Sequence, residues 1–487
     1  MTGGTGDTGG FESLLGRTGD LTAGAVDTLE IVAGLEADGL NDEAAARYGY
    51  PDVFALAEDL YERTARRPPP TPPPPNPWRA QVWRHLLRGL LFGLPGLCYA
   101  IAIPVLTRPD TGYLLIESLL LSWSMSQGVA YLAYRRMGQG NPAAGARALR
   151  RGLAAGVLVV APIIAGSGVL LDAGPRGTGL AVGQCVYLLA ATAALVAGAE
   201  PWLLAALLPG AVASLIQLAA GGPAHPAVWI AWGCTIAATI AIAVVRTRAG
   251  RRPAGSRPRR EGRPEPGRRG ARSLAALLIR PWGDIVAALP YALFGLFAGG
   301  LLTFGTVATL LGLASTSQAT TVAVLALSLS MGPAEWVLFS YRRHVHGLLA
   351  TRTGMGPFAR SARGALAVAV AAYAAGLLAL AAAVVAVGEK LGGLPHDLAG
   401  KAATPWIAGA GLALGCAFFV ALLLQSSGHI KAVVGCCAVV LAAEAAVTPA
   451  VGRGTVQLTV QFAAAAGLCA ILLIYALVVL GRATSYR

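Results

Sequence analysis

Three carboxylates, Glu117, Glu335 and Glu444, stand inside long apolar stretches of this chain. An ionisable group on a helix that crosses hydrocarbon is costly, so each should face a cavity or a partner. At ~1.5 Å rise per residue, Glu117 falls roughly 9 Å from the outer end of its stretch and Glu335 about 10 Å from the inner end of its own; Glu444 is deepest. In a cavity such acids suit proton coupling or a cationic substrate. The bland reading is a helix-end contact, or for Glu444 a hydrogen bond between neighbouring helices. Near the first two acids, Ser122, Ser124, Ser126 and Gln127, with Ser328 and Ser330, supply small polar groups that could donate to sugar or phosphate. Small residues also let helices pack closely, which is the competing explanation.

Basic groups are missing from the middle of every apolar stretch. Arg88, at the mouth of the first with Arg84 beside it, is the nearest candidate for an anionic headgroup, which wants cationic or bidentate partners. Asp284 and Glu200 lie at stretch ends, where solvation is expected. His344 and His346 alternate in a basic loop without a carboxylate and read as solvated rather than as a metal site. The seven cysteines (Cys98, Cys185, Cys234, Cys416, Cys436, Cys437, Cys469) form no ligand spacing and read as small apolar packing residues. No P-loop or other enzyme signature stands out, so neither an enzyme nor a cofactor is expected.

The elements that must hold these groups follow from composition. Of 487 residues, 55% are hydrophobic and 13% charged, with a formal charge of +14. Such a chain cannot cover itself with polar surface, which predicts an all-α polytopic membrane protein rather than a soluble globule. Apolar runs long enough to cross ~30 Å of hydrocarbon recur from residue 86 onward. About twelve are read, near 86–107, 112–134, 153–171, 179–199, 202–220, 227–246, 284–304, 319–341, 365–387, 405–425, 431–450 and 457–480. Arginines flank them in alternation. Arg79, Arg84 and Arg88 precede the first, Arg135, Arg136, Arg147, Arg150 and Arg151 follow the second, a dense run from Arg246 to Arg272 follows the sixth, and Arg342, Arg343, Arg352, Arg360 and Arg363 follow the eighth. Short cytoplasmic loops collect such residues, so a cell-membrane protein with both termini cytoplasmic is expected. The positive charge then faces an anionic inner leaflet. The Arg-rich run has no interleaved aromatics for base stacking, so no nucleic acid is called for.

Outside the apolar runs the chain changes character. Residues 1–19 read as disordered, and Met1 to Gly10 lacks the basic and apolar segments of a cleavable signal peptide. Residues 20–66 read as a small cytoplasmic module of two or three helices: one from Thr28, one N-capped by Asn41, one opened by Pro51 with Val53, Leu56, Ala57, Leu60 and Tyr61 on one face. It packs on the protein's own loops or serves as an adaptor for a cytoplasmic protein partner. The proline-rich residues 67–77 predict an extended spacer. A first six-helix bundle over 78–246, a basic disordered linker over 247–279 and a second bundle over 280–487 complete the expected organisation.

The two halves resemble each other. Leu121-Ser122-Trp123-Ser124-Met125, then Tyr134-Arg135-Arg136, recurs as Leu327-Ser328-Leu329-Ser330-Met331, then Tyr341-Arg342-Arg343. Pro77-Trp78 leading to Leu91-Phe92-Gly93-Leu94 is matched by Pro281-Trp282 leading to Leu293-Phe294-Gly295-Leu296. Each copy begins on the same side after six spans, so the repeats are parallel, and one bundle could rock against the other around a central cavity. The same helix count fits the major facilitator superfamily.

The pattern after the second span separates the two. The stretch from Gly112-Tyr113-Leu114 to Ser126-Gln127-Gly128, then Tyr134-Arg135-Arg136-Met137-Gly138-Gln139-Gly140-Asn141 and Ala146-Arg147-Ala148-Leu149-Arg150-Arg151, resembles the multidrug/oligosaccharidyl-lipid/polysaccharide flippase superfamily. Ser328 to Gly364 repeats it with a longer loop. The resemblance covers about a quarter of the chain directly. It implies a V-shaped cavity lined by the first, second, seventh and eighth spans, and export of a polyprenyl-linked glycan precursor or a small cation. The expected cavity residues are then Glu117, Ser122, Ser124, Ser126, Gln127, Ser328, Ser330, Glu335 and Arg88. The alternatives are a cation/proton antiporter of the same fold and a non-transporting scaffold that recruits cell-envelope machinery through residues 20–66.

Overall fold

The computed structural model describes residues 8–25, 27–64, 83, 87–92, 94–95, 108–220, 225–249, 274–312, 318–351, 355–390, 403–451 and 455–482. It divides into two compact units, Met1–Ala80 and Gln81–Arg487. Among the described residues there is no strand.

The first unit is a small helical module. Helices α1 (Thr8–Gly24), α2 (Thr28–Ala37), α3 (Asp42–Arg47) and α4 (Val53–Arg63) enclose Leu14, Ile31, Leu35, Leu56 and Leu60, all essentially inaccessible. Each of the last three helices starts at an acid or amide that accepts from the backbone N–H of the third helical residue: Asp27 from Glu30 at 2.9 Å, Asn41 from Ala44 at 3.0 Å, Asp52 from Ala55 at 2.8 Å. Asp42 reaches further and accepts from the Val53 N–H at 3.0 Å, so α3 and α4 are tied at their starts. The order of α1 departs from the expectation that residues 1–19 are disordered. Glycine and threonine hide its pattern, but Phe11, Leu14, Leu15, Thr18 and Thr22 recur at three- and four-residue spacing and pack into the module core. The two threonines satisfy their hydroxyls on carbonyls one turn back, at 2.8 and 3.0 Å. The proline-rich spacer lies outside the described residues.

In the second unit, nine helices among the described residues are long and apolar enough to cross a membrane, and a bent pair makes a tenth. They are α6 (Pro142–Leu170), α7 (Gly174–Val196), α8 (Glu200–Ala220), α9 (Pro226–Ala249), α10 (Leu274–Leu310), the pair α11 (Gln318–Leu329) and α12 (Met331–Thr351), α13 (Met355–Lys390), α14 (Thr404–Ser426), α15 (Ile430–Val447) and α16 (Thr455–Val479). In chain order they fall on the third to twelfth stretches read from the sequence. The second stretch is α5 (Pro109–Gly138), 30 residues long, whose Glu117, Gln127 and serines keep it outside the apolar set. Of the first stretch, only 87–92 and 94–95 are described, and these are helical. Within 247–279, expected as linker, residues 247–249 finish α9 and 274–279 begin α10. Leu274, Leu277, Leu278 and Ile279 carry the apolar pattern of α10 upstream of Pro281. Residues 250–273 are outside the described set.

The bend between α11 and α12 is 42°. Pro333, which has no N–H, cannot close the bond to the Leu329 carbonyl one turn back, so the ladder breaks there. Helices α5 to α9 pack on one another, as do α10 to α16, and the most extensive contact in the unit is α5 against α10.

Candidate functional site

The Arg88 guanidinium is held by two acids from distant parts of the chain. Its Nε and Nη2 donate to Glu200 Oε1 at 3.2 and 2.9 Å, and its Nη1 donates to Glu335 Oε2 at 2.8 Å. The Glu200 side chain is only 4% exposed, so the arginine replaces water as its partner, while Glu335 keeps about a quarter of its surface. Local sequence places Glu200 there. After α7 ends, Gly198 adopts φ of 71°, and the Gly198 and Ala199 N–H groups donate to the Leu195 and Ala194 carbonyls. This left-handed helix stop reverses the chain within a few residues and makes Glu200 the first residue of α8. Glu335 is set by the restart of the chain after Pro333, in the second turn of α12.

A second ion pair joins Arg136, in the last turn of α5, to Asp284 on α10. Between it and the middle of the helices, the Tyr131 and Tyr291 rings stack at 3.9 Å with their planes 14° apart. Ser124 Oγ donates to the Ala292 carbonyl at 2.8 Å. Gly295 meets α5 backbone: a Cβ there would fall 3.0 Å from both the Trp123 carbonyl oxygen and Ser124 Cα. Towards the other end of α5, Gly112 lies against Leu310, so the two helices touch along their length. Gly89, next to Arg88, makes the corresponding approach to the bend of the α11–α12 pair: its Cβ would lie 3.1 Å from the Leu329 carbonyl oxygen. That carbonyl is the one Pro333 leaves without its helical donor.

The remaining acids and serines expected in a cavity are mostly engaged nearby. Ser167 Oγ donates to Glu117 Oε1 at 2.8 Å, which fixes α6 to α5. Ser122 is fully buried and donates to the Ser118 carbonyl, and Ser328 donates to the Val324 carbonyl at 2.9 Å. Ser330 donates to the Leu327 carbonyl at 2.7 Å and bonds the Tyr373 hydroxyl at 2.9 Å. Ser126 is buried, with its hydroxyl lacking a partner among the described residues, and Gln127 packs against Gly295. The structure thus joins Arg88 to Glu335 and puts Ser124 and Gln127 on the α5–α10 contact; it does not bring the nine residues into one cluster.

Glu444 lies elsewhere. With Thr320, Gln461 and Gly305 it lines a cavity of about 80 Å³ whose other walls are apolar. Because a liquid water occupies about 30 Å³, this space is of a size for a small ion with a few waters. Glu200 pairs with Arg88 and Asp284 with Arg136, where the sequence predicts solvated acids. Their signal in the sequence was faint: each is an acid at the end of an apolar run, and an arginine stands at the end of another run on the side that alternation makes common to both. No protein-family model, curated protein or solved structure matches this chain.

Proposed function

We propose that the chain is a twelve-span membrane transporter whose two six-helix halves alternate access, and that it is a flippase for a polyprenyl-linked glycan precursor. One observation carries the reading. Gly295 approaches the Trp123 carbonyl as Gly89 approaches the Leu329 carbonyl. The same 206-residue offset separates Gly89 from Gly295, Trp123 from Leu329, Ser124 from Ser330 and Met125 from Met331. Exchange of the halves therefore turns the contact of span two with span seven into that of span eight with span one. Such exchange belongs to a parallel repeat about an axis along the membrane normal. It also shifts the register by one helical turn from the Leu-Phe-Gly-Leu match, pairing Gly93 with Gly299.

The ion pairs support a gate. Arg88–Glu335 and Arg136–Asp284 both link the proposed halves, and strict alternation of spans puts both at one end, the cytoplasmic one if the arginine loops face inward. Opening that end would free Arg88 Nη1, now donating to Glu335, for a phosphate, while Glu200 keeps Nε and Nη2. The Glu444 cavity favours coupling to protons or a small cation, and it is the reason to keep a cation/proton antiporter of the same fold as the second reading.

The test is reconstitution in liposomes with a fluorescent polyprenyl-diphosphate saccharide, scoring its movement between leaflets. Transport by the wild-type chain is expected, with at least about tenfold loss in Glu335→Gln at equal protein abundance, the factor that ~1.4 kcal/mol supplies. Transport undiminished in Glu335→Gln removes that residue from the mechanism. Cation movement without saccharide movement selects the second reading. Neither movement leaves the scaffold, and then deletion of residues 1–77 should abolish the cellular phenotype.

A further inference from the structure

The start of α8, two residues beyond Glu200, and the end of α9 form a second basic site. The two helices pack together, and the connection between them lies at their far ends, so Trp202 and Arg246 share one end of the unit. The Arg246 guanidinium lies over the Trp202 ring, 5.5 Å from its centroid. Arg246 is exposed, and 57% of the Trp202 surface is accessible. Among the described residues no carboxylate pairs with Arg246. An arginine in the last turn of a helix often serves only to cap its carbonyls. Here another residue does so: Arg150, from α6, donates to the Thr247 carbonyl. Arg246 is left stacked on an indole, an arrangement that uses the faces of the guanidinium and keeps its in-plane N–H groups for an acceptor.

Further along α8, Leu208, Val212 and Ile216, spaced four residues apart, form a stripe of exposed apolar side chains. In a membrane that face meets acyl chains. Tryptophan at the end of a spanning helix sits at headgroup level. A phosphate at the edge of Arg246, with its acyl chain running down α8, satisfies all of these features together. The geometry points to a site for one anionic glycerophospholipid of the surrounding leaflet, its phosphate on Arg246 and its glycerol beside Trp202. Basic pockets between spanning helices are known to take such headgroups. The site stands whether or not the protein transports anything.

Full-length protein is placed in phosphatidylcholine vesicles containing a minor fraction of brominated phosphatidylglycerol or, separately, brominated phosphatidylcholine. Emission of wild-type protein minus that of Trp202→Phe isolates Trp202. Its quenching should correspond to about fivefold enrichment of the anionic lipid, the factor that one cation at an anionic surface supplies. Arg246→Gln should reduce quenching to the phosphatidylcholine level, while Arg246→Lys keeps part of the enrichment. Equal quenching by the two lipids, or an enrichment that persists in Arg246→Gln, overturns the site. So does a change of Trp202 emission in pure phosphatidylcholine vesicles on adding soluble glycerol phosphate, which would make it a free-phosphate site.

Discussion

At Arg88 one guanidinium serves two acids of different burial, and that difference sets what each substitution should do. Removing one partner of a buried ion pair leaves a charge without compensation, at about 3–5 kcal/mol, whereas exposed pairs contribute about 0–1 kcal/mol. Glu200→Gln should therefore destabilise the protein by about 2–4 kcal/mol and Glu335→Gln by about 1 kcal/mol, read as the thermal midpoint in detergent. Arg88→Met with Glu200→Leu should recover much of the Glu200→Gln loss, because burying two apolar groups in place of a pair is often neutral. In the N-terminal module, Asp59 bonds the Tyr50 hydroxyl and accepts from Arg63 at 2.8 Å. Burial alone would raise Asp59, but the hydrogen bonds from Tyr50 and Arg63 outweigh it and hold the carboxyl below its ordinary range. Burial and the Asp59 hydrogen bond push the Tyr50 phenol up. The lowered acid contributes stability above its ordinary range and loses it as pH falls through the lowered value. The raised phenol contributes while protonated and loses this as pH rises through the raised value. Protection of the α4 amides in the full-length chain, taken as exchange relative to the intrinsic rate at each pH, should accordingly be greatest near neutral pH and fall in acid. Asp59→Asn should flatten the acid limb.

Helices carry the clearest record of what could be read in advance. Asn41 was legible as an N-cap and the buried face of α4 as Val53, Leu56, Ala57 and Leu60, because both signals are local. The apolar runs were legible for the same reason. The junction was not: Arg88 stands 112 residues from Glu200 and 247 from Glu335, and no local pattern pairs them. The sequence predicts solvation at Glu200 because a short turn shows none of the neighbours that the fold places around it. The α5–α10 contact depends on backbone approach, and its glycines should differ in tolerance. A Cβ at Gly295 meets the Trp123 carbonyl and Ser124 Cα, which cannot move aside, whereas at Gly299 it meets the Leu120 Cδ2, the end of a flexible side chain. Gly295→Ala should cost about 1–3 kcal/mol and Gly299→Ala less, a ranking that thermal unfolding in detergent would reverse if α5 and α10 were loosely packed.

For the molecule as a whole, the long α5–α10 contact has a consequence for how the chain can be assembled. A hydrogen bond, stacked tyrosines, an ion pair and close glycine approaches already hold α5 to α10. The peptide connection between residues 249 and 274 is then not what keeps them together. Expressed from one transcript as two polypeptides, 1–249 and 274–487, the fragments should find each other in the bilayer, and a tag on one should retrieve the other. With Gly295→Leu in the second fragment, retrieval should fail, since the partner backbone leaves that side chain no room.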